Sequence, residues 1–464
     1  MRRSKQSLSG YNLLTCDMGQ VVPVCLRPVL PGDLISHQTN MFMRVTPMAA
    51  PVMHQVDARI HHFYVANRTI WDDWEDFITG GEDGMNADVV PTYTTTGNSK
   101  DLWDYFGVPP VASIGLNALP IIAFNRIWNE FYRDQDLQIA RADDDVTIPK
   151  CAWGRDYLNT ARPWSSKGPQ VSIPVGDKAY VKTDWQASQN NTMSSDTGGN
   201  HYSTDVSTQA AQFRLYADLQ TAEGADPIDV RTAWGMQRFM EEAARFGSRY
   251  PEKMRRLGSQ YQGLLERPEF LGGGSQAINF SEVLQTANDT NDRPFGVGDL
   301  YGHGIAATRT NRYKRRIDEH GYVISLLSVR PTSLYQDGVE REWLRSDRED
   351  FHDPFLEDVG MMPVYNGEVD LGHAAGHKEI FGYQDRYDDY RQGRNQVTAE
   401  FRDVLDYWHL GRQLTDPMLN GSFVECTPSK RIFNEQTMDS LWIMCHNKIN
   451  AFRNIGKRAR TRLI

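Results

Sequence analysis

Between Val52 and Val65 apolar residues fall mainly on alternate positions. Val52, Val56, Ala58, Ile60 and Tyr64 share one side while Gln55, Asp57, Arg59 and His61 fall largely on the other, a period of two that predicts a strand. Directly after it the period lengthens. Ile70, Trp71, Trp74, Phe77 and Ile78 form a stripe at helical spacing, which predicts a helix capped by Thr69, with Asp72 three residues on, and stopped by Gly80 and Gly81. Two more helices are predicted, one through Phe124, Ile127, Trp128 and Phe131, the other from Asp229 to Phe246. The second turns Val230, Ala233, Met236, Phe239, Met240 and Ala243 inward and stops at Gly247. Further strands are predicted at Tyr322–Arg330, where Val323, Ser325, Leu327 and Val329 alternate with Tyr322, Ile324, Leu326 and Ser328, and at Ser440–Ile449.

Strands spread over the whole length and separated by long connections fit a closed or double-sheet antiparallel architecture better than βαβ units, with the helices as insertions. No fixed-period repeat is visible. One stretch stands apart. Residues 177–209 are dominated by Ser, Thr, Asn, Gln, Asp and Gly, which predicts a long exposed insertion loop serving either as a mobile connection or as a recognition surface.

With 464 residues, 40% hydrophobic, the chain can bury a large core. The formal net charge of -10 argues against neutralising a nucleic acid over the whole surface. The sign is locally reversed in the C-terminal tail, 452–464, which carries Arg453, Lys457, Arg458, Arg460 and Arg462 and no acid. With Phe452 and Trp442 beside them, these cations are candidates for neutralising phosphate and stacking a base, against the plainer reading of a solvated tail. Tyr313-Lys-Arg-Arg316 is diluted by Asp318 and Glu319 and reads as a solvated strand edge.

Cys16, Cys25, Cys151, Cys426 and Cys445 form neither a CxxC pair nor a readable disulfide framework, and are expected to be reduced and mostly buried. The residues after Met1 lack the unbroken apolar stretch of a secretion signal, and no run is long and apolar enough to span a membrane, so neither secretion nor membrane insertion is expected.

Other candidate chemistry is weaker. The acids of Trp71-Asp-Asp-Trp-Glu-Asp76 could serve glycoside hydrolysis, but acids in a first helical turn more simply stabilise the helix dipole. His373 and His377 are four apart without the glutamate of a zinc-binding HExxH, and Gly372 and Gly376 favour a loop. His61 and His62 point to opposite faces of a strand. The glycine runs at 271–274 and 298–304 lack the companions of a phosphate-binding loop and read as turns or close backbone packing. No catalytic residue, metal ligand or cofactor is assigned.

Several separate stretches carry a family resemblance: Val29-Leu-Pro-Gly-Asp33, the unit from Arg59 to Phe77, Phe124 to Leu137, Arg155 to Pro169, Arg267 to Gly274, Phe381 to Arg391 and Phe401 to Leu410. In this order they resemble the gokushovirus major capsid proteins of the small single-stranded DNA bacteriophages. The resemblance implies a non-enzymatic protein of the virion, assembled in the bacterial cytoplasm. It implies a single eight-stranded antiparallel jelly-roll domain over 1–464 with large helical and loop insertions, closing as a homo-oligomer into a T=1 icosahedral shell around circular single-stranded DNA. It also implies a small basic DNA-packaging protein, a pilot or minor spike protein and a scaffolding protein as partners, and a protrusion at the three-fold axes. The polar insertion is where that protrusion is expected, and its exposure and length make Asn190, Asn191, Asp196, Asn200 and Tyr202 candidates for contact with a host surface receptor. The alternative from another class is a jelly-roll carbohydrate-binding protein or glycosidase built on residues 71–76. A metal-binding enzyme built on His373 and His377 is a weaker third reading.

Overall fold

Period-two patterning along the chain becomes two antiparallel sheets. In the first, β1 (Ser4–Ser7) and β2 (Gly10–Cys16) run end to end along one edge of β19 (Leu441–Arg453). The other edge of β19 pairs with β4 (Leu34–Val45), which in turn pairs with β14 (Leu300–Arg309) and β15 (Tyr313–Arg316), and β13 (Asn279–Leu284) closes the rim. The second sheet runs β12 (Glu269–Ala277), β5 (Val56–Ala66), β16 (Gly321–Pro331), β3 (Val21–Val29). With end-to-end pieces taken as one strand, β2-β19-β4-β14 faces β3-β16-β5-β12. Each sheet interleaves early and late strands, which is the eight-stranded jelly-roll order.

The structure, a computed structural model, describes residues 3–79, 87–169, 180–183, 193–195, 202–204, 215–218, 227–246, 266–284 and 300–456. By its contacts the chain divides into two compact units, residues 1–165 with 250–464, and residues 166–249. No helix among the described residues is long and apolar enough to cross a membrane.

Alternation decides which core each strand side enters. Val56, Ala58 and Ile60 of β5 meet Met41, Met43, Leu441, Ile443 and Cys445 between the sheets. The opposite side of the second sheet is buried too. Phe63, Val65, Ile324 and Leu326 lie under α3 (Leu119–Phe131), whose Ile121, Phe124, Ile127 and Trp128 supply its apolar stripe. This cover explains why Tyr322–Arg330 is apolar on both parities. The glycine run at 271–274 lies inside β12, where a Cβ on Gly273 would come within 2.2 Å of the Ile60 carbonyl, so close packing rather than a turn is the reason for it.

Three expectations need correction. The strand begins at Val56 rather than Val52. The helix after it does not start at a Thr69 cap: Asn67–Thr69 form a 3₁₀ turn, the Thr69 hydroxyl donates back to the Ala66 carbonyl (2.7 Å), and α1 spans only Trp74–Thr79. The Asn67 carbonyl accepts from both Ile70 and Trp71, which holds the tight turn and delays the helix; Gly80 and Gly81 lie outside the described residues. In α4 (Pro227–Phe246), Met240 and Ala244 are buried but Met236 and Trp234 are exposed, because the visible cover, Lys167 and Gly168, meets only the later turns.

The smaller unit contains the polar stretch. Besides α4, its described pieces include two strand pairs, β8 (Tyr180–Thr183) with β11 (Leu215–Asp218) and β9 (Met193–Ser195) with β10 (Tyr202–Thr204). In the larger unit, β6 (Thr92–Thr96) pairs with β7 (Ala112–Asn117), and α2 (Leu102–Tyr105) follows β6 with Asp101 as its cap. The long insertion after β16 holds β17 (Met361–Tyr365) and β18 (Ile380–Asp385). Buried arginines organise it. Arg341 pairs with Glu368 at 3.1 Å, and Arg412 sits 4.3–5.4 Å from the rings of Phe423, Trp153 and Tyr335.

A polar node interrupts the apolar sandwich. His37 and His62, on β4 and β5, meet with ring centroids 4.5 Å apart and planes tilted by 51°. His37 lies 3.1 Å from the Tyr313 hydroxyl and 3.3 Å from Asn447 Oδ1, and His62 lies 2.8 Å from the Ser325 hydroxyl. Burial lowers the His37 pKa to about 4 and that of His62 to about 2, a nearby His37 adding to the second. An unfolded chain binds protons at these histidines below about pH 6.5 while the folded chain does not. Stability is therefore complete above about pH 6.5 and is expected to fall as pH drops towards 4, by ~1.4 kcal/mol per pH unit for each histidine. Urea midpoints across this range test it: a His62→Gln chain should lose less between pH 6.5 and 4.5, and an equal loss would discount the node.

Candidate nucleic-acid interface

The outward side of the first sheet is assembled from strands far apart in sequence. Registers place Trp442 between Thr15 and Arg44, Met444 between Leu13 and Phe42, Lys448 beside Gln38, and Phe452 between Lys5 and Leu34. On the far side of β4, Lys314 lies beside Ser36 and Arg316 beside Leu34. Alternation sends the intervening residues, such as Ile443, Cys445 and Ile449, into the core.

The composition of this face is unusual for an acidic protein. Of this sheet's described strands, only the rim strand β13 carries an acid, Glu282, opposite the buried Gly302; β1, β2, β4, β14, β15 and β19 contain no aspartate or glutamate, although the chain has 60 of them. Lys5, Arg44, Lys314 and Lys448 are exposed and have no carboxylate within ion-pair distance among the described residues. Apolar rings and chains lie open between these cations: Tyr11 is 67% exposed, Leu13 73%, Trp442 42% and Phe452 44%. At one end β2, β4 and β19 wall a cleft of about 770 Å³, closed by Lys100, Asp104, Tyr105 and Phe106, with Lys100 paired to Asp439 at 3.0 Å and the Arg44 guanidinium 5.6 Å from the Phe42 ring centre. Cations concentrated on one acid-free face form a local positive field, and exposed rings offer stacking platforms. The chemistry suits an extended polyanion with unpaired bases.

The sequence-derived candidates divide over this face. Phe452 and Arg453 belong to β19 rather than to a loose tail, because their register with β1 and β4 continues the sheet. Phe452 stays on the open face. Arg453 is turned to Asp33, which is fully buried, with Nη2 2.7 Å from Oδ2. Lys457, Arg458, Arg460 and Arg462 lie outside the described residues, as do Asn190, Asn191, Asp196 and Asn200; Tyr202 is on β10. Tyr313–Arg316 is an edge segment as expected, yet it brings Lys314 and Arg316 to the same face as Lys448. Arg44, Lys448 and Lys5 were missed; the available signal was the absence of acid from the alternating runs 34–45 and 441–453.

The alternative sites look different. Glu75 and Asp76 occupy the first turn of α1, and Glu75 is 3.5 Å from Arg68. His373 and His377 lie in successive turns rather than on a helix, with His373 Nδ1 3.8 Å from Asp416.

Comparison with known proteins gives one consistent result. Residues 1–457 match the family described as Capsid protein (F protein). The chain is 32% identical to the Capsid protein VP1 of Bdellovibrio phage phiMH2K, over 92% of this chain and 89% of the relative. It is 29% identical to the Capsid protein VP1 of Chlamydia phage 1, over 93% and 90%, and 28% identical to that of Spiroplasma virus 4, over 88% and 84%.

Proposed function

This chain belongs to the capsid protein (F protein) family, in its gokushovirus branch, and from that premise we propose that it closes into a T=1 icosahedral shell around a circular single-stranded DNA, with the acid-free sheet face turned towards the genome. Capsid proteins are structural components of the virion that act as homo-oligomers, and the glycosidase alternative gives way to that role. The observation that carries the DNA reading is the open face bearing Lys5, Arg44, Lys314, Lys448, Trp442 and Phe452 in a chain of net charge -10.

The face can hold phosphates without sequence preference while rings take splayed bases. The tail follows β19 directly in the chain, and its Lys457, Arg458, Arg460 and Arg462 are proposed as further phosphate contacts. Arg453 is assigned to anchoring that strand end. A net acidic shell leaves much phosphate uncompensated, which supports a small basic packaging protein inside; pilot and scaffolding proteins complete the proposed partners. Within the unit 166–249, the polar stretch 177–209 is proposed as the outward protrusion and host-receptor contact, through Asn190, Asn191, Asp196, Asn200 and Tyr202.

The test is particle size and nucleic-acid content after expression with and without the packaging partners. Uniform closed shells that retain single-stranded DNA are expected; a chain that stays monomeric with every partner would refute the assembly reading. Replacing Arg458, Arg460 and Arg462 by alanine should leave shells forming while DNA retention falls at raised salt. Unchanged DNA content there would remove the tail from the site.

A further inference from the structure

Two of the five cysteines are opposed in the core. An antiparallel bridge joins Ala152 to Glu425, flanked by hydrogen bonds from the Cys426 amide to the Cys151 carbonyl (2.8 Å) and from the Trp153 amide to the Val424 carbonyl (2.9 Å). That register sets Cys151 directly across from Cys426 on the same side. Opposed residues in such a register have Cα atoms roughly 5.5 Å apart, inside the range of about 4.4–6.8 Å that a disulfide spans. Both thiols are buried in the core beneath α3.

The other thiols have no such geometry. Cys16 and Cys445 lie on the neighbouring strands β2 and β19, but Cys16 faces Leu441, four positions away. Cys25 faces Ser325. Charge also singles out Cys151. The Arg330 guanidinium donates to the Ala152 carbonyl at 3.1 Å, and the facing Cys426 thiol, with Arg330 assisting, lowers the Cys151 thiol, whereas burial raises Cys426, as it does Cys16, Cys25 and Cys445.

We propose that Cys151 and Cys426 form a redox-responsive pair, reduced as described here and closed to a disulfide by a small-molecule disulfide oxidant. In the first step the Cys151 thiolate attacks one sulfur of the oxidant, forming a mixed disulfide and releasing one thiol. The Cys426 thiolate then attacks the Cys151 sulfur and displaces the second thiol. The two cysteines lose two protons and two electrons in total, and the oxidant is reduced to two thiols. The bond ties the segment ending in the helical turn Gly421–Val424 to the segment at 150–153, which itself hangs from the Gly19 carbonyl through the Cys151 amide (2.8 Å). Chain elements about 275 residues apart are thereby fixed, a covalent lock for a particle that leaves a reducing compartment for an oxidising one.

The experiment incubates the full-length protein with oxidised glutathione at graded temperatures up to its unfolding midpoint, then denatures it in an alkylating reagent and maps the peptides by mass. Alkylation should fall from five sites to three, with one cross-linked peptide joining Cys151 and Cys426. Reduction should restore all five, and a Cys426→Ser chain should keep its four remaining thiols alkylated. Five alkylated cysteines at every temperature would overturn the proposal, as would stable glutathione adducts or a cross-link between any other pair.

Discussion

Replacing Arg453 by alanine is expected to lower the unfolding free energy by about 3–5 kcal/mol, because it strands a carboxylate that has no route to water. Asp33 is fully buried, and its Oδ2 accepts from Arg453 Nη2 (2.7 Å), from Arg453 Nε (3.2 Å) and from the Leu30 amide (3.1 Å). Its second oxygen, Oδ1, is buried without a hydrogen-bond partner, so the guanidinium is the main compensation for the charge. Arg453 also donates to the Pro28 carbonyl, which fixes the end of β19 to the end of β3. Urea unfolding of the variant measures the loss. Adding Asp33→Ala to Arg453→Ala should recover part of it, since removing both partners avoids the unpaired buried charge. A single variant as stable as the parent would show that the pair contributes nothing at this position. By contrast, breaking the exposed Arg316–Asp318 pair, 3.8 Å apart, should change stability by less than about 1 kcal/mol.

The second large effect concerns DNA. Trp442→Ala is expected to weaken binding of a single-stranded oligonucleotide by about 1–3 kcal/mol at any salt concentration, the value of one stacked base. Combined replacement of Arg44, Lys314 and Lys448 by alanine should act differently. Each phosphate neutralised on a single strand contributes about 0.7 to the slope of log affinity against log salt, so the triple variant should flatten that slope by about 2. Fluorescence titrations from low to high salt separate the two contributions. An unchanged slope in the triple variant would move the genome contact off this sheet, whatever the result with Trp442. None of these side chains reaches the sandwich core, so folding should survive the substitutions; unfolding midpoints provide that control.

The sequence by itself carried a good deal. Alternation located β5, β16 and β19, helical spacing located α3 and α4, and the acid-free run after Phe452 marked the chain's sharpest charge asymmetry. The ordered motifs from Val29 to Leu410 sufficed for the family. What local pattern cannot express is which strand lies beside which. Period two tells that Trp442, Met444 and Lys448 share a side of one strand; it does not tell that Arg44 and Phe42 lie next to them or that Lys5 flanks Phe452. Those neighbours come from residues about 400 positions apart, and their register is set by burying the opposite side of every strand in a common core. The same long-range pairing took Arg453 out of the tail and gave it to Asp33, and placed Cys151 opposite Cys426. Local backbone preference therefore decided the elements, while the single arrangement that hides both sheets' apolar sides decided the face, the buried ion pair and the thiol pair.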